Sequence, residues 1–250
     1  MSPSLRHSPR AALGVALGVL AGAHVLDHRL GPPAHVPVSL ASTGLLLLTA
    51  RSAGADAAEL GLEHARLGQG LRCGATAAAG VGGLYAAGAL LPATRPLFAD
   101  SRAEERLSGL LRQMLLEVPL GTVLLEEVGF RCVLPALLRR TCGPRLGEAV
   151  PVVLFGLWHV LPSAALAASN PALAAASTGN RAPGGDGVFR LAAASGSVAV
   201  TAAGGAVFAA LRRHTGSAVA PALLHTAFNS LGHLAAWSVR RRSGRLRRAS

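Results

Sequence analysis

Three short stretches of this sequence carry side chains that could do chemistry. Leu124-Leu125-Glu126-Glu127-Val128-Gly129-Phe130-Arg131 holds two adjacent carboxylates and a guanidinium, Phe155-Gly156-Leu157-Trp158-His159 an imidazole, and His225-Thr226-Ala227-Phe228-Asn229 an imidazole and an amide. Glu127 and Arg131 stand four apart on one helical face, with Glu first, the better orientation for an ion pair. Taken singly, that pair neutralises itself, His159 is a packed histidine, and His225 with Asn229 is an interhelical hydrogen-bonding device. Those readings leave Glu126 over, a second carboxylate without a local cation. An ionisable group at bilayer depth costs about 2.5–3.5 kcal/mol on insertion scales, so each needs a partner or a wet cavity. Convergence in one polar cavity accommodates all of them at least cost. A carboxylate beside two imidazoles can activate water, either as a general base or around a metal ion.

The elements that must position these groups read as membrane helices. Residues 30–50, 73–94, 149–180, 191–211 and 214–239 contain no Asp, Glu or Arg, and about 20 helical residues cross a bilayer. Residues 11–26 nearly qualify, and Gly14, Gly18 and Gly22 at spacing four are expected to form a face for close helix packing. Arg6, Arg10 and Ala21-Gly22-Ala23 also give the start the look of a cleavable signal. Residues 51–72 and 95–106 are charged connections, and 169–187, rich in Asn, Pro, Ser and Gly, reads as a loop. Gly216-Ser217 and Pro221 predict a broken entry to the helix carrying His225. The expected fold is all-α, a polytopic transmembrane bundle of about six to eight helices with a polar intramembrane cavity. Its expected parts are N-terminal transmembrane helices (1–106), a motif-bearing helical core (107–239) and a basic C-terminal tail (240–250).

Composition agrees. With 51% hydrophobic and 14% charged residues, the chain is too apolar for an ordinary soluble domain and for a solvated coil. The net charge of +12 comes entirely from Arg, placed at the edges of apolar runs and almost without interleaved aromatics. That pattern is interfacial anchoring, with no nucleic-acid partner expected. Arg in place of Lys, together with abundant Ala and Gly, matches a GC-rich bacterial coding bias, so the expected location is a bacterial plasma membrane. Cys73, Cys132 and Cys142 form no C-x-x-C pair and read as small buried hydrophobes. Arg139, Arg140, Arg145, Arg212 and Arg213 favour the cytoplasmic side, as does the tail from Arg240 onward. Strict alternation puts the tail opposite, so either one segment fails to cross or one cluster breaks the charge rule.

Together, Glu126-Glu127 with Arg131, Phe155 with His159, and His225 with Asn229 resemble the CPBP family of intramembrane proteases. This is the CAAX prenyl protease and bacteriocin-processing (Abi) group, whose pattern is E-E-x-x-x-R, F-x-x-x-H and H-x-x-x-N or H-x-x-x-D on successive helices. The resemblance implies hydrolysis of a peptide bond in a membrane-associated protein or peptide. It makes Glu126 the base that activates water with His159, has His225 and Asn229 donate to the oxyanion, and leaves Glu127, Arg131 and Phe155 in support. The family is described both as metalloproteases and as glutamate-dependent proteases. Glu126, His159 and His225 form the candidate set for a divalent metal such as zinc, and the cofactor stays undecided between that ion and none. The sequence departs from the pattern at Cys132, where relatives commonly carry Gly, at Val152-Val153-Leu154, and in lacking a further helix after the third motif.

Two other functions fit the same residues. A transporter also gathers Glu, His, Arg and Asn at bilayer depth, but it predicts an internal repeat that residues 1–106 and 107–239 do not show. A noncatalytic scaffold or bacteriocin-immunity factor of the same fold would keep the helices without the reaction.

Overall fold

The computed structural model describes residues 8–178 and 187–249, with side chains described over 8–176 and 196–243. Among these residues all regular structure is helical. α1 (Pro9–Leu30) and α2 (Pro32–Ser52) form a hairpin that turns at Gly31. The short α3 (Ala57–Leu60) leads through a 3-10 turn into α4 (Leu67–Leu90). One long rod follows, made of α5 (Leu107–Arg112), a π-wound stretch Gln113–Val123, α6 (Leu124–Glu127), a second π-wound stretch Val128–Val133 and α7 (Leu134–Cys142). Then come α8 (Pro144–Trp158), α9 (Val160–Ser169), α10 (Pro171–Thr178), α11 (Gly187–Thr215) and α12 (Val219–Ala249). Four described helical stretches are long and apolar enough to cross a membrane: Pro9–Leu30, Pro32–Ser52, Ala57–Leu90 and Pro144–Ser169. The fold is the expected helical bundle.

Local sequence explains the breaks that matter. Pro119 lies inside the first π stretch, where its missing N–H and its ring exclude regular α winding. Pro162 removes the donor for the Trp158 carbonyl, and the α8–α9 rod breaks at His159, whose φ and ψ are −89° and 2°. The expected broken entry to the last helix is present: α11 stops at Thr215, Gly216 turns at φ +67°, and α12 begins at Val219.

The packing corrects three expectations. The buried face of α1 is Ala12, Ala16, Leu20 and Ala23, while a Cβ at Gly14, Gly18 or Gly22 would meet nothing within 4 Å. Leu20 supplies the reason, since it reaches Gly129 of the long rod and turns the glycine face outward. Close approach occurs instead at Gly74, where a Cβ would lie 2.9 Å from the Ala220 carbonyl oxygen of α12. Second, the expected loop at 169–187 contains α10, nucleated where Asn170 Oδ1 accepts from Leu173 N at 3.0 Å; residues 179–186 lie outside the described residues. Third, of the three free cysteines only Cys132 is buried; Cys73 is half-buried and Cys142 exposed. The possible signal cleavage concerns residues that begin outside the described part.

Contacts place the arginine clusters within the bundle. At one end Arg140 donates to Glu59 and to the Ala53 and Gly54 carbonyls, Arg212 donates to the Ala58 and Glu59 carbonyls, and Arg139 and Arg213 flank Glu148. At the other, Arg240 donates to the Ser101 and Ala103 carbonyls and to Glu105, beside the Ser169 carbonyl that accepts from Ser101 N. The arginine clusters thus sit at opposite ends.

Gly74→Val is expected to lower stability by about 1–3 kcal/mol through overpacking against α12. Gly80→Val in the same helix, facing open space, should change it little. Thermal unfolding of both variants in detergent micelles checks the contrast.

Candidate active site

The long rod places Glu126 and Glu127 at its middle, between the two π-wound stretches. Both are nearly sealed, at 4% and 2% exposure, as are Arg131 at 3% and His225 at 3%. Arg131 Nη1 lies 3.6 Å from Glu127 Oε1, and its guanidinium covers the Phe155 ring at 3.8 Å. The pairing at spacing four is therefore made, and Phe155 supports the cation.

Each imidazole is fixed by its Nδ1. The break after α8 leaves the Phe155 carbonyl without a helical donor, and His159 Nδ1 donates to it at 2.8 Å. A carbonyl only accepts, so the proton is on Nδ1 and, in neutral His159, Nε2 presents a lone pair. His225 Nδ1 donates to Glu127 Oε1 at 2.8 Å, which leaves its own Nε2 in the same state. Both Nε2 atoms face one atom, Glu126 Oε2, at 3.6 Å from His159 and 3.7 Å from His225. These separations exceed direct hydrogen bonds, and Glu126 Oε2 is buried without a partner.

Three lone-pair atoms facing one another repel unless something electropositive lies among them. A water with its two hydrogens, a proton that makes one imidazole an imidazolium, or a divalent cation meets that need. One carboxylate oxygen and two imidazole nitrogens are donor types that zinc accepts, and Nδ1 bonds to a carboxylate and a carbonyl are the outer bonds that hold such histidines. As they stand, no three His, Cys, Asp or Glu groups among the described residues enclose a metal position. By donor chemistry the set fits; in present geometry it would have to close.

The other carboxylate oxygen has a partner that sequence reasoning missed. Glu126 Oε1 accepts from Trp158 Nε1 at 2.9 Å, so the carboxylate without a local cation is held by an indole one residue before His159. Trp158 in turn packs on Phe130 and on His24 of α1, with ring centroids 5.5 Å and 4.5 Å away. His24 had no motif to mark it. Asn229, expected on the face of His225, is half-buried and makes no hydrogen bond through its side chain among the described residues. His159 is more accessible than Glu126 and His225, its side chain 20% exposed against 6% and 4%.

Comparison with known families decides what this constellation belongs to. Residues 109–231 match the family model described as type II CAAX prenyl endopeptidase Rce1-like. Over those residues the chain is Rce1-like. No curated protein and no solved structure matches the chain. The Rce1-like segment takes in the long rod from Gly109, all of α8 and α9, and α12 as far as Leu231. It therefore includes all three motifs, while His24 comes from outside it. The family implies a peptidase of the CAAX type, and with several apolar helices the chain reads as a multi-pass membrane protein acting on membrane-associated substrates.

Proposed function

We propose that this protein is an intramembrane endopeptidase in which Glu126 activates water to hydrolyse a peptide bond of a membrane-anchored protein or peptide. The observation that carries the reading is the convergence of both imidazole Nε2 atoms on the unpartnered Glu126 Oε2. A structural ion pair needs one carboxylate for Arg131. The second, buried and aimed at two lone pairs, raises the cost of folding and calls for a use.

In the proposed reaction a water donates one hydrogen to Glu126 Oε2 and the other to His159 Nε2. As its oxygen attacks the peptide carbonyl carbon, Glu126 takes the proton. When the tetrahedral intermediate collapses, the C–N bond breaks and the same proton passes to the leaving nitrogen, so the carboxylate is regenerated. Asn229, with no internal partner, offers its amide hydrogens to the oxyanion. His225 joins it as a donor only as an imidazolium, because its Nδ1 hydrogen is already given to Glu127. A divalent ion held by Glu126, His159 and His225 would polarise the carbonyl and acidify the water instead.

Trp158→Phe keeps the ring stack and removes the donor to Glu126. A hydrogen bond to a charged group is worth about 1.5–3 kcal/mol, so kcat should fall about 10- to 100-fold with KM little changed. Steady-state cleavage of a peptide ending in prenylated Cys and three further residues, beside its unprenylated counterpart, measures this and shows whether the lipid is required. Metal content of active protein, and cleavage after chelation, separate the two ways of activating water. Failure to cleave membrane-anchored peptides of any kind would leave a scaffold.

A further inference from the structure

A polar cavity, of about 220 Å³, opens at the arginine-rich end of the bundle, between the long rod, α8 and the end of α11. Four arginines line it, Arg131, Arg139, Arg212 and Arg213, against two carboxylates, Glu59 and Glu148. Those carboxylates neutralise only part of that charge. Glu59 is bound by Arg140 at 2.7 Å, outside the cavity, and Glu148 stands 3.8 Å from both Arg139 and Arg213, beyond hydrogen-bond range. Arg212 spends one Nη on the Ala58 and Glu59 carbonyls and keeps its Nε unpartnered.

Arg131 forms the inner wall. It is 3% exposed, yet neither Nη1 nor Nη2 makes a hydrogen bond, and its one ion pair, to Glu127 Oε1, is 3.6 Å long. Its Nη atoms are sealed from the cavity, so Arg131 contributes its charge, while the exposed guanidiniums at the mouth offer N–H donors to an occupant. Water alone would satisfy the donors and leave the excess positive charge. An oxyanion would satisfy both, and guanidinium forks match phosphate geometry.

We propose that this cavity is a binding site for a phosphate-type oxyanion, held by Arg139, Arg212 and Arg213, with the buried charge of Arg131 behind them. The phosphate belongs either to a lipid headgroup or to a free soluble anion. The site shares Arg131 with the carboxylate cluster but does not depend on the protein being a peptidase.

The test is thermal unfolding of the full chain in neutral-detergent micelles at constant ionic strength. Three probes are titrated: inorganic phosphate, short-chain phosphatidylglycerol and zwitterionic short-chain phosphatidylcholine. A saturable rise of several degrees is expected with at least one of the first two. Response to the glycerol lipid alone identifies a headgroup site, and response to inorganic phosphate identifies a free-anion site. Arg139→Gln with Arg213→Gln, both on partly exposed side chains, should weaken the effect at least about tenfold, and Glu148→Gln should strengthen it. No rise with either probe, an equal rise in the Arg139→Gln/Arg213→Gln protein, or an equal rise with phosphatidylcholine would overturn the proposal.

Discussion

Glu126→Gln should lower peptide hydrolysis by about 10²- to 10⁴-fold, the range a positioned general base contributes, while the protein inserts and folds normally. The amide keeps an oxygen to accept from Trp158 Nε1, now 2.9 Å from the carboxylate, and it removes a buried negative charge that Arg131 does not neutralise. Stability should be unchanged or slightly higher. This divergence, activity lost and stability retained, distinguishes a reacting group from a structural one. The same variant in a scaffold would show neither effect on its partner's function beyond local repacking. Parallel measurement of initial rate and unfolding temperature checks it, and full activity in a folded Glu126→Gln protein would contradict the assignment.

The second large effect falls on stability. Arg131→Met leaves Glu127, 2% exposed, in a dry interior with only the His225 hydrogen bond, and it strips the cation from the Phe155 ring. Removing one partner of a buried pair costs about 3–5 kcal/mol. Glu127→Gln made together with Arg131→Met should recover a substantial part of that loss, because no uncompensated charge then remains. The recovered energy is the coupling between the two residues. Denaturant titration of the single and double variants in micelles measures it, and strictly additive losses would mean that the 3.6 Å pair contributes nothing.

The sequence made the chemistry legible where it repeats along one helix and hid it where helices meet. Glu127 and Arg131 at spacing four give a pair that any helix would form, and the need to bury Glu126 predicts a partner without naming it. Trp158 is that partner, invisible because a tryptophan beside a histidine in an apolar helix is ordinary until another helix brings a carboxylate to its nitrogen. His24 lies more than a hundred residues from the groups it packs beside, and only the fold of α1 against the rod connects them. Helix type was readable from apolar length; winding was not, although Pro119 and Pro162 mark where it departs from α. The glycine repeat of α1 misled because small residues permit close packing without requiring it, and Ala12, Ala16 and Leu20 won the contact instead. Asn229 shares a helix with His225 as its spacing dictates, and among the described residues its side chain makes no hydrogen bond.

The central claim is that water, not a protein side chain, attacks the peptide. Single-turnover cleavage of a prenylated-cysteine peptide in H₂¹⁸O, with intact protein and products weighed by mass spectrometry at successive times, tests it most directly. One ¹⁸O atom is expected in the new C-terminal carboxylate, with protein of unchanged mass at every time point. A protein species carrying the acyl part of the peptide, forming and decaying as product appears, would contradict it.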